Sequence, residues 1–171
     1  MTGSGYSNNV LKGVQQALAS YPNIKVLGTE YALYTPAESK KIIESYFAKR
    51  VPIDGVIVDG GLMDFGVLDA FVDAKKPLPP TTADDWFGFL KRARSLNYTN
   101  YMVLSSGEEL SLDTADAAMK LLAGETVPKD DLRAPTSWEG TDLASKIDTA
   151  RPDSYWLASK IPADRVAEFY K

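Results

Sequence analysis

Apolar and polar positions alternate between two periods along this chain. From Asn8 to Ser20, Val10, Leu11, Val14, Ala17 and Leu18 fall on one face at helical spacing. Pro22-Asn23 breaks that pattern. Ile24-Lys25-Val26-Leu27 then reads as a strand. Thr35-Pro36-Ala37-Glu38 carries three helix-start signals: a capping Thr, Pro in the first turn, and Glu three residues after the cap. The helix it opens runs to about Lys49, with Ala37, Ile42, Ile43, Tyr46 and Phe47 as its apolar set. The continuous apolar centre of Ile53 to Asp59 predicts a strand buried on both faces. Gly60-Gly61 turns the chain into a helix from about Leu62 to Asp73.

Shorter elements follow. Leu78 to Thr82 has room for a short strand only, because of Pro79-Pro80. Trp86 to Arg94 reads as a helix, Tyr101 to Leu104 as a strand, and Asp113 to Leu122 as a helix closed by Gly124. After Glu125 the character changes. Pro128, Pro135, Pro152 and Pro162 interrupt it, which predicts an extended arm ending in a short helix over Val166 to Tyr170. Trp138, Tyr155 and Trp156 would anchor that arm by packing. Strands alternating with helices predict βαβ units in an α/β fold, a three-layer α/β/α sandwich with a mostly parallel sheet. Ligands of such sheets bind at the carboxyl ends of the strands.

Composition then removes whole classes of chemistry. The 171 residues include no His and no Cys. A Cys nucleophile, a His general base, a zinc finger and a disulfide are therefore excluded. Nineteen basic residues against 23 acidic ones leave a net charge of −4, which argues against non-specific nucleic-acid binding. At 44% hydrophobic residues the chain can bury a core. No basic and apolar leader follows Met1, and no apolar run is long enough to span a bilayer.

Three constellations sit where a ligand would bind. Asp59 ends the Val56-Ile57-Val58 run and precedes two glycines, which let a ligand or backbone approach closely. A loop cap is the plainer reading of the same Asp. A phosphatase of the dehalogenase type would need a second Asp at position 61, where Gly61 stands. Asp84-Asp85-Trp86 follows the short strand at Thr81-Thr82. One of these carboxylates would cap the next helix. The other, beside an indole, suits a sugar: a carboxylate accepts from neighbouring hydroxyls while the indole covers the C–H face. Gly3-Ser4-Gly5 leads to Asn8 and Asn9, which are either helix caps or amide contacts to a ligand. No Lys-Ser or Lys-Thr follows, so a P-loop is excluded. Tyr31 and Tyr34 follow the Ile24–Leu27 segment, where packing is the usual role.

In order, these motifs resemble the C-terminal lobe of type I periplasmic sugar-binding proteins, the ribose-binding-like solute-binding family of ABC transporters. The resemblance rests on Asn8-Asn9-Val10-Leu11-Lys12-Gly13-Val14, on Tyr31 to Ala37, on Pro80 to Leu90, on Leu121 to Glu125, and above all on Ile53 to Gly66 with its Asp-Gly-Gly-x-x-x-x-Gly end. It covers roughly residues 3–126, and more loosely the rest through Tyr155-Trp156 and Ile161-Pro162. It implies a ligand-binding lobe over 1–126 and a tail over 127–171 that belongs partly to the hinge and a first lobe.

The resemblance also implies roles. A sugar or polyol would lie in a crevice between two lobes, contacted by Asp59, by Asp84 with Trp86 and the adjacent Asp85, by Asn8 or Asn9, and by Tyr34. Ser105 falls near a hinge position where the family often has Gln. The implied partners are that small molecule and the membrane permease of an ABC transporter, with no nucleic acid and no cofactor. The implied location is periplasmic or extracellular, with the signal peptide and first lobe absent from this chain, and the implied protein is not an enzyme. A lone lobe would bind weakly and would expose apolar surface for homo-oligomer formation. Two other readings stand beside this one: the effector domain of a lactose-repressor-type regulator, and a carboxylate-using hydrolase.

Overall fold

The computed structural model describes residues 4–105, 108–129, 135–159, 165 and 168. It divides into two compact units, Met1–Thr82 and Ala83–Lys171. The division falls inside the span 1–126 expected as one lobe.

The first unit is built on three helices. α1 (Gly5–Leu18) starts three residues before the expected Asn8, because the Ser4 hydroxyl accepts from the Ser7 amide and caps it there. α2 (Pro36–Ala48) begins where its sequence signals place it. Thr35 is its cap and accepts the Glu38 amide at 3.2 Å, with Pro36 in the first turn. Thr35→Ala is expected to lower stability by about 1 kcal/mol, read as a lower urea midpoint at unchanged slope.

α3 (Gly61–Asp73) packs against α2. Between them Ile43, Val67, Ala70 and Phe71 are buried, with Phe47, Ile53, Val56, Val58 and Leu78 packed around them. Phe47 meets Phe71 edge to face at 4.9 Å between ring centres. Gly66 lies in that contact: a Cβ there would collide with the Pro36 carbonyl oxygen and the Ser39 hydroxyl. The Ser39 hydroxyl in turn lies 2.7 Å from the Met63 carbonyl oxygen, joining the two helices. The final glycine of the Asp-Gly-Gly-x-x-x-x-Gly motif is thus the seat of helix-on-helix packing.

Two expected strands differ. Ile24 to Leu27 forms no strand among the described residues, and Ile24, Val26 and Leu27 are exposed. Apolar, β-branched content makes a strand only where a neighbouring backbone supplies hydrogen bonds, and none of the described segments does so here. The strand expected at Ile53–Asp59 reduces to one parallel bridge, Val56 with Thr81. Beyond it the Thr82 side chain replaces the ladder: its hydroxyl donates to the Val58 carbonyl at 3.0 Å and accepts the Val58 amide at 2.9 Å. Burial on both faces also fails. Val56 and Val58 turn toward Phe71 and its neighbours, while Ile57, on the opposite face, stays exposed.

β1 (Thr81–Asp84) runs across the boundary between the units. It is followed by α4 (Phe87–Ser95), β2 (Tyr101–Leu104), α5 (Glu108–Leu122), β3 (Ser137–Glu139) and α6 (Gly140–Leu143). The sheet order is β1-β2-β3. β2 and β3 are antiparallel, with Val103 opposite Trp138. The α/β class holds, and the sheet is mixed: β2 and β3 are antiparallel, while Val56 and Thr81 pair in parallel. The reason lies in the tail, expected to be an extended arm, which returns to pair with β2.

The second unit's core holds Phe87, Phe89, Leu90, Val103, Leu143 and Ile147. Phe89 and Phe87 meet Tyr101 and Tyr155 edge to face. Tyr155 therefore anchors the tail by packing, as its sequence position implied. Burial pushes the Tyr101 hydroxyl up to about 12. Gly124, at φ +80°, closes α5: its amide and that of Glu125 return to the Leu121 and Lys120 carbonyls at 3.0 Å each. The short helix expected at Val166 to Tyr170, and Ile161-Pro162, lie outside the described residues apart from Glu168.

Candidate functional site

Asp59 follows the Val56–Val58 segment that the bridge and Thr82 hold in place. Three side chains gather around it, two from the first turn of α1 and one from the turn before α2. The Ser7 hydroxyl, in the first turn of α1, donates to Asp59 Oδ2 at 3.1 Å. The Tyr34 hydroxyl lies 3.2 Å from Ser7 Oγ. The Tyr6 hydroxyl donates to the Asp59 carbonyl oxygen at 3.2 Å. Ser7 is buried, while Tyr34 and Asp59 are half-buried.

Tyr34 reaches this place through an unusual turn. Leu33 and Tyr34 both have left-handed φ, +52° and +56°. The Thr35 amide closes on the Ala32 carbonyl at 2.9 Å. This is the backbone of a type I′ turn, which ordinarily uses Asn-Gly. Leu and Tyr in that conformation cost of order 1 kcal/mol or more each. The turn delivers two side chains at once, Thr35 as the α2 cap and Tyr34 to Ser7.

Asn8 and Asn9 sit one helical turn along α1 and are exposed. The cap is Ser4, and the α1 side chain that meets Asp59 is Ser7. The sequence reading passed over Ser7. The signal was a hydroxyl residue in the first turn after a glycine-rich entry, one position before the two asparagines that drew attention.

The second unit holds the other group. Asp84, half-buried, ends β1, and its Oδ1 lies 3.4 Å from the Trp86 amide. That contact reaches the amide of the cap residue itself: α4 has Trp86 at its cap position and no side-chain cap hydrogen bond, so neither carboxylate takes the capping role expected for one of them. Asp85 is fully buried. Its Oδ2 accepts the Ala158 amide at 2.7 Å and its carbonyl accepts the Leu157 amide at 3.1 Å. Asp85 thus fastens the tail. The attachment continues on both sides: Trp86 bridges Trp156 antiparallel, and the Phe87 and Gly88 amides donate to the Tyr155 and Asp153 carbonyls. The half-buried Trp86 indole folds over Gly88, where a Cβ would collide with the ring. At the end of β2, the Ser105 amide donates to the Thr136 carbonyl at 2.8 Å and its Oγ accepts the Thr136 amide at 3.1 Å. Ser105 therefore joins β2 to the segment entering β3.

Asn8, Asn9, Tyr34 and Asp59 thus fall in the first unit, and Asp84, Asp85, Trp86 and Ser105 in the second. Chemically, the Asp59 group is a carboxylate and a phenol linked through a serine, suited to hydroxyl recognition. Among the described residues no group of three or more Asp, Glu, His or Cys side chains is placed to hold a metal ion. No described helix is long and apolar enough to cross a membrane.

Known proteins resemble this chain in sequence and in fold. The xylitol-binding protein of Mycolicibacterium smegmatis is 33% identical over 132 residues, covering 75% of this chain and 37% of its own. A solved ABC transporter solute-binding protein from Thermobispora bispora superimposes with a TM-score of 0.69 at 22% identity, covering 96% of this chain and 52% of the other. A 5-methylthioribose transporter solute-binding protein from Thermotoga lettingae, solved with 5-methylthioribose, gives 0.68 at 17% identity, covering 91% and 52%. The chain therefore spans about half, or less, of the length of these relatives. Residues 1–126 match the periplasmic binding protein domain, and the chain belongs to that family.

Proposed function

We propose that this protein binds a neutral sugar or polyol as the solute-binding component of an ABC transporter, outside the cytoplasmic membrane, and releases it unchanged to a permease. The observation that carries this reading is the Asp59 group. A half-buried carboxylate after a strand-like segment is linked through Ser7 to a phenol. Hydroxyl-rich solutes are recognised by such hydrogen-bonding groups. Asp84 with Trp86 is a second set of the type that suits a sugar, a carboxylate acceptor beside an indole. Each set carries an Asp carboxylate, which favours an uncharged ligand over a sugar acid or sugar phosphate. The 33% identity to a xylitol-binding protein supports the same class.

The test is a thermal-shift series on the full-length protein with xylitol, D-ribose, D-galactose and D-gluconate. At a ligand concentration of about 100 Kd, linkage gives roughly 2.7 kcal/mol of stabilisation, a shift of several degrees. At least one neutral compound is expected to raise the Tm, and gluconate is not. No shift with any neutral compound overturns the reading, and a shift with gluconate alone overturns its charge selectivity.

A further inference from the structure

The Asp59 group has a direction, and Ser7 sets it. Ser7 Oγ meets Asp59 Oδ2 at 3.1 Å and Tyr34 Oη at 3.2 Å. A serine hydroxyl has one proton, and here it goes to the carboxylate. The Ser7 oxygen is then an acceptor toward Tyr34, whose own proton is drawn to it. Proton donation runs one way, from Tyr34 to Ser7 to Asp59. The phenol oxygen keeps its lone pairs for an incoming donor, and so does Asp59 Oδ1, which meets no described side chain. We propose that Ser7 is a positioning residue for the ligand. Without touching the solute, it locks Asp59 and Tyr34 into a pair of acceptors for two neighbouring ligand hydroxyls.

This inference rests on the proposed sugar or polyol function and adds to it a requirement on the ligand, a pair of donating hydroxyls. The surroundings support a fixed arrangement. Ser7 is buried within α1, so its hydroxyl has few places to turn. Tyr34 is held by the left-handed turn at Leu33-Tyr34. Asp59 is tied again at its carbonyl oxygen by the Tyr6 hydroxyl. Backbone strain retained where the Tyr34 side chain meets Ser7 accords with a functional placement.

The experiment measures the affinity of the full-length protein for xylitol and D-ribose by titration calorimetry. The variants are Ser7→Ala, Ser7→Thr, Asp59→Asn and the double variant Ser7→Ala with Asp59→Asn. Ser7→Ala is expected to weaken binding about 10-fold, the usual size for a lost hydrogen bond to a charged group. Ser7→Thr keeps the hydroxyl and is expected to stay within about 3-fold of wild type, a rescue that a packing role alone does not supply. In the Asp59→Asn background, Ser7→Ala is expected to add about 2-fold or less, because residues acting through one another are non-additive. Wild-type affinity in Ser7→Ala overturns the inference, and so does a full 10-fold loss in the Asp59→Asn background. If Asp59→Asn abolishes binding, the comparison of Ser7→Ala with Ser7→Thr decides alone, and equal loss in both overturns the inference. A wild-type protein that binds neither of these compounds nor D-galactose overturns the proposed function, and this inference with it. That result is distinct from binding that ignores Ser7.

Discussion

Gly66→Ala is expected to lower the Tm by about 10 °C, while Gly13→Ala raises it slightly. Both glycines lie inside helices, α3 and α1. Intrinsic propensity alone gives either substitution about 1 kcal/mol of stabilisation. At Gly13 nothing stands within 4 Å of the new methyl group, so that gain is realised. At Gly66 the methyl meets the Pro36 carbonyl oxygen and the Ser39 hydroxyl. The carbonyl belongs to the backbone of α2 and cannot rotate away. Relief requires the two helices to part, which loosens the packing around Val67, Ala70 and Phe71 and separates Ser39 from the Met63 carbonyl. Overpacking of this kind costs about 1–3 kcal/mol, and a lost interhelical hydrogen bond adds about 1 more. Because the clashing atom is backbone, overpacking falls at the upper end, and after the gain in propensity the net loss is about 3 kcal/mol. Thermal unfolding followed by circular dichroism reads both signs, and a stabilised Gly66→Ala protein would show that α2 and α3 do not meet as described.

What could be read from sequence was whatever depends on a few neighbouring residues. The α2 start was legible because Thr35, Pro36 and Glu38 act within one turn. β2 was legible from four apolar residues between turns, and the α5 stop from Gly124. Elements whose existence depends on a distant partner were not. Ile24–Leu27 and Ile57 have strand-forming side chains, but a strand is a property of two backbones. Nothing local says that Thr82 would offer its hydroxyl where a ladder bond was expected. β3 was hidden for the converse reason: Ser137-Trp138-Glu139 has little apolar pattern, and its pairing with Met102 to Leu104 supplies the structure.

The site divided along the same line. Asp59 was recognisable from the glycines beside it. Its link to Ser7 spans 52 residues, and that of Ser7 to Tyr34 spans 27. Such contacts follow from how α1 and the Leu33-Tyr34 turn come to lie beside residue 59. No spacing rule encodes them.

The adjacent carboxylates Asp84 and Asp85 are expected to part company on substitution. Sequence treats them as a pair, and alternation along an extended segment sends neighbouring side chains opposite ways. Asp85 is fully buried, and its Oδ2 receives the Ala158 amide at 2.7 Å. Asp85→Ala removes a charge-assisted bond and leaves the half-buried Ala158 amide without its acceptor, together about 3 kcal/mol. The tail segment Asp153–Ala158, fastened to the start of α4 by this bond and by the Phe87 and Gly88 amides, is expected to loosen. The readouts are a Tm lower by about 10 °C and faster proteolysis near residue 158. Asp84 is half-buried, and its bond to the Trp86 amide is a long 3.4 Å. Asp84→Ala is expected to lower the unliganded Tm by less than Asp85→Ala does, because its side chain is half-buried where that of Asp85 is fully buried. On the proposed function it also removes the sugar-dependent part of the stabilisation, through a loss of about 100-fold in affinity, or about 2.7 kcal/mol. Measuring each variant with and without xylitol or D-ribose separates the two roles. Asp85→Ala lowers both curves and keeps their separation; Asp84→Ala lowers the unliganded curve less and closes the gap. A gap that survives Asp84→Ala would remove Asp84 from the ligand contacts, while a gap that closes in Asp85→Ala alone would exchange the two assignments.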